Sequence, residues 1–437
     1  MAAGSSTVAE KNRELNVRTT SYEFFGPVGA AVLVPLLIVT TLGLFPLCTK
    51  ESCSPLVLVT DPQSVLDNIA ALKWWDWKAA GVYMLWISFH FVGYLVVPGR
   101  IIEGTMLRNN SRLKYKINGL TMAYLTAALL GGALYFYGLA PFVWIAENTL
   151  PLCTAATAYA LAQATFLYLY SFRSNTPLMS LVGNSGNFIY DFWMGRELNP
   201  RLGFLDLKYL CELRPGLILW AILNLSYAAK QYHELGRVTN SMILVQIFEI
   251  YYVLDALINE EAILTTMDII QDGFGFMLTY GDLVWVPFVY TLQARYLTLY
   301  PIDLSPAALG GILLVKIIGF YIFRSSNLQK NDFRAKPDAP HVKNLKFIQT
   351  ASGTRLLVDG WWKWSRHMNY LGDWIMGIAW CLPCGFGHAI PYFYALYFAL
   401  LLVHRSLRDE EKCQHKYGKY WDEYRQKVPY YIVPYIY

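Results

Sequence analysis

Two groups of residues in this chain have types and spacings that chemistry could use. The first lies in the C-terminal third. Lys330 and Arg334 are four apart, and Gly360-Trp361-Trp362, Arg366-His367-Met368-Asn369-Tyr370 and Gly372-Asp373 follow. Then come His404-Arg405, Arg408-Asp409, Cys413 and Lys416-Tyr417-Gly418. Cations, stacking aromatics and amides in proximity suit a phosphorylated ligand with a flat ring. A basic membrane flank would account for the Lys/Arg excess, but not for the interleaved Trp, Asn, Asp and Tyr.

The second group sits in apolar surroundings. Glu249, Tyr252, Asp255 and Asn259 follow one another at steps of 3, 3 and 4, so they share one helical face, and Glu260 and Glu261 continue just beyond it. Asp282, Trp285, Gln293 and Tyr296 form a similar stripe, as do Trp220, Asn224, Tyr227 and Gln231. Ionisable residues at membrane depth mark function by default. The competing account is hydrogen bonding between helices. Three successive polar faces are expected to converge on an interior cavity.

These residues are carried by a lipid-soluble chain. Of 437 residues, 55% are hydrophobic, 16% aromatic and only 15% charged, with a mean hydropathy of +0.31. That composition excludes a disordered chain, a collagen and a nucleic-acid-binding protein. Ten apolar runs of about membrane-crossing length are expected. They lie at 24–47, 79–98, 119–141, 151–172, 216–233, 241–258, 282–299, 306–324, 371–386 and 389–403. The last two are short and bracket Pro383, Gly385 and Gly387 as a hairpin.

The fold expected is all-α: a polytopic membrane protein with about ten transmembrane helices and a cytosol-facing cofactor pocket in the C-terminal half. It divides into a tail at 1–23, helices one to five over 24–240, and helices six to ten over 241–437. With ten crossings, 29 of the 36 Lys/Arg fall on the side of the N-terminus. By the positive-inside rule both termini are then cytosolic. The first 23 residues lack the pattern of a removable signal peptide. Cys48 and Cys53 fall on the opposite side, where their spacing permits a disulfide without requiring one.

Other chemistry is missing. There is no phosphate-loop, dinucleotide-fold, zinc-protease or nucleophile-elbow motif. No metal site can be argued from the scattered His, and Cys381-Leu-Pro-Cys384 reads as core packing.

Two long stretches resemble signatures of the membrane sterol reductases of the endoplasmic reticulum. They are Gly186-Asn-Phe-Ile-Tyr-Asp-Phe-Trp-Met-Gly-Arg-Glu-Leu-Asn-Pro-Arg201 and Leu402-Val-His-Arg-Ser-Leu-Arg-Asp-Glu-Glu-Lys-Cys-Gln-His-Lys-Tyr-Gly418. The similarity runs from about Gly99 to Tyr437. Within that family the stretch from Asn259 to Phe276 is more similar to the Δ14-sterol reductases and the lamin B receptor than to the 7-dehydrocholesterol reductases.

The resemblance implies NADPH-dependent reduction of the sterol C14=C15 double bond, on an 8,14-diene type of substrate, in the endoplasmic reticulum membrane. It also implies a cofactor site of Lys330, Arg334, Leu357, Trp362, Asn369, Tyr370, Arg405, Asp409, the run Cys413 to Tyr417 with Lys416, and Tyr424. Leu357 and Tyr424 enter by resemblance alone. Lys363 stands where the family pattern has a glycine. An isolated alkene is a poor hydride acceptor, so a proton must arrive first. By the resemblance Tyr252 is the first expected donor, with Asp255, Glu260, Glu261 or Asp282 as acids of its network; a carboxyl held protonated by burial is the alternative donor, Glu261 and Asp282 ranking next. Δ7-sterol reduction and a non-catalytic sterol-binding membrane protein are the alternatives. Oligomeric state is not legible.

Overall fold

The computed structural model describes residues 15–173 and 178–437. The chain is mostly helical and forms two compact units, Met1–Pro301 and Ile302–Tyr437.

Ten helices correspond to the ten expected segments. In the first unit these are α1 (Gly26–Gly43), α2 (Trp77–Val96), α3 (Gly119–Tyr137), α4 (Thr149–Tyr170), α5 (Pro215–Leu235), α6 (Asn240–Ile258) and α7 (Leu292–Leu299). In the second they are α8 (Pro306–Ala335), α9 (Met368–Cys381) and α10 (Phe393–Tyr417). Among the described residues, seven helical segments are long and apolar enough to cross a membrane. These are α1 to α4, α6, α8 and the segment Ile390–Tyr417 that contains α10.

The other three do not meet that length and hydropathy. α5 is long but dilutes its apolar content with Asn224, Lys230, Gln231 and Glu234. The seventh segment is broken into a π-helical turn (Gly281–Trp285), a short helix (Val286–Val289, with Pro287 inside) and α7. Proline removes one backbone donor and crowds the preceding turn, which favours such a break. α9 has 14 residues, a rise of about 21 Å, short of the about 30 Å hydrocarbon layer.

The strictly all-α expectation also needs correction. Three two-stranded antiparallel ribbons are present: Arg100–Met106 with Arg112–Ile117, Arg201–Leu202 with Leu205–Asp206, and Phe347–Gln349 with Arg355–Leu357. All lie in the connections between the long helices, and in Arg112–Ile117 charged and apolar residues alternate at the strand period.

The expected N-terminal tail is docked from Asn16 onward. Thr19 donates its amide to Asn184 O (3.1 Å) and its hydroxyl to Leu181 O (2.8 Å), and Tyr22 meets Tyr190 edge to face at 4.9 Å. Residues 1–14 lie outside the described residues.

Arg295 explains its own presence in an apolar segment. Its guanidinium donates to Leu44 O, Phe45 O and Cys48 O at 3.0, 3.1 and 2.9 Å. Those carbonyls follow the end of α1 and would otherwise be orphaned where a cation is favoured. Beside them Cys48 and Cys53 form a disulfide.

The two glycine-bearing motifs of the first unit interlock. Gly195, at φ +83°, lies so close to residues 273–275 that an added Cβ would sit 2.2 Å from Gly275 N. A Cβ on Gly273 would fall 1.8 Å from Gly195 O, and one on Gly183 2.0 Å from the same oxygen. Lys208, fully buried, donates to Asp268 O, Ile269 O and Asp272 O at 2.6, 3.0 and 2.7 Å. Together these contacts hold the loop that leads into the turn bearing Asp282.

Candidate functional site

The second unit contains a cleft of ≈ 270 Å³. Its floor is set by a short 3-10 turn, Gly360–Lys363. Asp359 anchors that turn, accepting from Gly360 N at 2.8 Å and Lys346 N at 3.2 Å. These hydrogen bonds hold its carboxyl below the usual carboxylate range. Gly360 takes φ +61°, a conformation glycine adopts without strain. The turn buries Trp362, whose Nε1 donates to Ser326 O at 3.0 Å.

One helical turn along from Ser326, Lys330 lays its ammonium 3.7 Å from the Trp362 ring centroid. Arg334 follows four residues later on the same face of α8. The ribbon Phe347–Gln349/Arg355–Leu357 brings in Arg355, whose guanidinium lies over Phe333 and Phe347 at 5.0 and 5.2 Å. The C-terminal half of α10 lines the cleft with Asp409, Lys412, Cys413, Lys416 and Tyr417. The helix Lys419–Lys427 adds Trp421 and Tyr424, stacked at 4.6 Å and 14°.

Nine of the twelve expected cofactor residues therefore border one cleft: Lys330, Arg334, Leu357, Trp362, Asp409, Cys413, Lys416, Tyr417 and Tyr424. Tyr370 joins indirectly, its ring stacked on His367 at 4.6 Å. Asn369 donates to Asn327 Oδ1 at 3.3 Å. Asn369 and Arg405 are not among the lining residues. Lys363, at the position of the family glycine, is exposed, so its side chain adds no obstruction to the turn.

Reasoning from sequence missed Arg355 and Trp421. Arg355 needed the ribbon to be recognised, through the alternation from Phe347 to Gln349 and from Arg355 to Leu357. Trp421 is spaced three residues from Tyr424 and four from Tyr417, a helical signal that was readable.

The rest of the lining is braced from within. Arg366 donates to Val428 O, Pro429 O and Glu410 Oε2 at 2.9, 2.9 and 2.7 Å. His367 is buried beside the cations Lys330 and Arg366. Burial first, and those charges second, hold its imidazole down at about 3, so it is neutral at physiological pH. In contrast, Lys330, Arg334, Arg355, Lys412 and Lys416 have no carboxylate at ion-pair distance among the described residues. Five such cations around one aromatic-walled cleft form a receptor for a polyanion. The residues present thus fit a phosphorylated dinucleotide.

In the first unit the polar stripes of α5 and α6 do meet. Glu249 Oε2 accepts from Trp220 Nε1 (2.9 Å) and Asn224 Nδ2 (2.6 Å), and all three residues are buried. Tyr252 is half-buried with its ring 5.9 Å from that of Trp220. Tyr290 and Trp220 form a T-shaped pair with centroids 5.2 Å apart. Asp255 accepts from Asn259 Nδ2 at 3.3 Å.

Beyond α6 the stripe divides. Glu260 is 1% exposed and tied to Gly119 N (2.8 Å), Tyr209 Oη (2.7 Å) and Arg214 Nη2 (2.5 Å), a structural clamp. Glu261 is exposed and ion-paired with Arg100. Asp282 sits in the π-helical turn, and its buried Oδ2 has no hydrogen-bond partner among the described residues.

Known proteins resemble this chain along most of its length. The profile of the ergosterol biosynthesis ERG4/ERG24 family matches residues 36–437. The Delta(14)-sterol reductase erg24 of Schizosaccharomyces pombe is 47% identical over 95% of this chain and 97% of its own. The Delta(14)-sterol reductase TM7SF2 of Mus musculus is 47% identical over 95% and 97%. The Delta(14)-sterol reductase LBR of Gallus gallus is 46% identical, and there this chain spans 64% of the relative's length. Matched along nearly its whole length, the chain belongs to the ERG4/ERG24 family of ergosterol biosynthesis.

Proposed function

We propose that this chain is a Δ14-sterol reductase that uses NADPH to saturate the C14=C15 bond of an 8,14-diene sterol in the endoplasmic reticulum membrane. The observation that carries the reading is the group of five cations, without ion-pair partners among the described residues, around the cleft of Trp362, Tyr417 and Tyr424. The names of the relatives support the choice of the Δ14 bond. The charge count supports ten crossings, both termini cytosolic and a cofactor cleft facing the cytosol.

In this reading Lys330, Arg334, Arg355, Lys412 and Lys416 would hold the phosphates, and Trp362 and Tyr417 would border the flat rings. Asn369, Tyr370, Arg405, Asp409 and Tyr424 complete the cofactor site, with Leu357 and Cys413 as apolar wall. The bound cofactor supplies a hydride. The chain's own residues supply the proton and shelter the charge. Tyr252 would deliver its phenolic proton to C15, leaving a tertiary cation at C14. A phenol with a reference pKa of about 10 needs help from an acid. Asp255, one turn away on α6, and Asp282, with its unpaired buried oxygen, are the carboxyls suited to return the proton. Glu261, paired with Arg100 at the surface, falls outside that network.

The test is incubation of the purified chain with NADPH and an 8,14-diene sterol, followed by mass-spectrometric analysis of products. A product lacking only the C14=C15 bond supports the reading. Reduction of a 5,7-diene sterol instead would move the assignment to the Δ7 bond, and absence of NADPH consumption with both substrates would sink it.

A further inference from the structure

The five cations of the cleft come from three elements. Lys330 and Arg334 share one face of α8, and Lys412 and Lys416, also four apart, share one face of α10. Both helices are apolar before they reach the cleft, α8 as far as Phe323 and α10 as far as Val403. The cleft therefore has an inner end, at Lys330 and Asp409, nearer those apolar stretches, and an outer end beyond it. At a rise of about 1.5 Å per residue, Arg334 lies about 6 Å outward of Lys330, and Lys416 about 10 Å outward of Asp409.

Arg355 is the fifth cation. It comes from the ribbon and stands beside Phe333, the residue next to Arg334, so it belongs to the outer end. Its guanidinium lies over the Phe333 and Phe347 rings at 5.0 and 5.2 Å, and Nη2 donates to Phe333 O at 3.5 Å. The strand that carries it is anchored by its next two residues. Leu356 is buried in a cluster with Ile348, Trp421 and Tyr424, and Leu357 in another with Phe333 and Trp362. Two rings and a carbonyl thus set the plane of the guanidinium before a ligand arrives. An arginine held this way offers a planar fork of N–H donors that matches a phosphate monoester, where a lysine offers a point charge.

The charges around it are of one sign. The lining contains a single carboxylate, Asp409, and that lies at the inner end. Dinucleotide sites that take the unphosphorylated cofactor hold the ribose 2′-OH on an Asp or Glu, and those that take the phosphorylated one place an Arg there. Hydride transfer to a sterol in the membrane calls for the nicotinamide at the inner end, which leaves the adenosine ribose at the outer end.

We infer that Arg355 is the specificity-determining residue of the cleft: it takes the 2′-phosphate of NADPH and so selects that dinucleotide over NADH. The two helix-borne pairs serve the diphosphate common to both. This rests on the proposed function for the cofactor and for the direction of hydride transfer.

The test reads binding without turnover, by equilibrium titration of the full chain in detergent with NADP+ and with NAD+. The wild type is expected to favour NADP+ by about 100-fold. Arg355→Met keeps a long stem and removes charge and fork. It should weaken NADP+ by about 30-fold and leave NAD+ within about threefold. Arg355→Lys keeps the charge without the fork, and should weaken NADP+ by about fivefold with NAD+ unchanged, a reading that survives if the Met variant does not fold. Lys412→Met should weaken both dinucleotides alike. Equal weakening of both by Arg355→Lys, no weakening of either by Arg355→Met, or a loss of NADP+ alone in Lys412→Met overturns the inference. A wild type that binds neither dinucleotide overturns it together with the cofactor reading. A wild type that shows the preference for NADP+, loses it in both Arg355 variants and yet fails to reduce the diene upholds the role of Arg355 and removes only the Δ14 assignment.

Discussion

The ammonium of Lys330 lies 3.7 Å from the centroid of the Trp362 ring, and the Trp362 N–H is bound to Ser326 O one turn earlier on the same helix. The ring thus holds the cation at the cleft without neutralising it. Lys330→Met keeps the stem and removes the charge. Equilibrium titration with NADP+ is expected to show affinity reduced by about 10- to 30-fold, the loss of about 1.5–2 kcal/mol for one charge-assisted contact. Unchanged affinity would place the phosphates elsewhere.

Tyr252→Phe removes one hydroxyl and keeps the ring against Trp220. Turnover of the 8,14-diene should fall by about 10²- to 10⁴-fold, the usual range for loss of a general acid. NADP+ affinity should stay within about twofold, because the cofactor residues belong to the other unit. Parallel loss of both would assign Tyr252 a structural role.

Gly195→Ala addresses the interlock of the two motifs. The added methyl would lie 2.2 Å from Gly275 N at a backbone φ of +83°. Neither side can give way without moving main chain. The variant should lose about 2 kcal/mol or more of stability, seen as a lower melting temperature in detergent. Gly203→Ala is the control: its φ is also positive, +63°, but an added Cβ would meet nothing within 4 Å. If both variants melt alike, strain in φ rather than the interlock is responsible.

His367 predicts an acid-side loss of stability. Burial, then the charges of Lys330 and Arg366, lower its pKa from 6.5 to about 3. Above pH 6.5 both folded and unfolded chains carry it neutral, so it costs nothing. As pH falls from 6.5 towards 3, the unfolded chain takes up a proton that the folded chain refuses, and stability declines. The slope contributed approaches about 1.4 kcal/mol per pH unit. His367→Gln should flatten the fall in melting temperature between pH 7 and pH 4.5. An identical pH profile in the variant would mean that His367 is protonated in the folded chain.

Much of the architecture was readable before any coordinates. α1 to α4, α6 and α8 follow from apolar runs whose length matches a bilayer, because lipid imposes one uniform demand on every lipid-facing position. The seventh segment, expected as one span, is broken, and the ninth is as short as its sequence implied. Asp282, Pro287, Gln293 and Arg295 sit on one of them, and polar residues that are satisfied by protein neighbours look to a hydropathy reading like defects in a span. Arg295 is the clearest case: its three carbonyl acceptors lie about 250 residues away in sequence.

The site divides along the same line. Spacing identified Lys330/Arg334 and Asp409/Cys413/Lys416–Tyr417, since each set lies on one helix and helical periodicity fixes which residues share a face. Composition and charge gave only the expectation that these sets lie beside the membrane on the side of the N-terminus. Only the tertiary structure decided that Arg355 and Lys412 complete the cleft, because a ribbon and two helices had to be brought together to form it. Only it separated Glu260 from Glu261, adjacent in sequence, into a buried clamp on Arg214 and a surface partner of Arg100. And only it seated Glu249 on Trp220, a contact between two helices that no single periodicity contains. Sequence determined the types of residue available and the faces they share. Packing decided which faces meet, because burial and hydrogen-bond partners are set by neighbours distant along the chain.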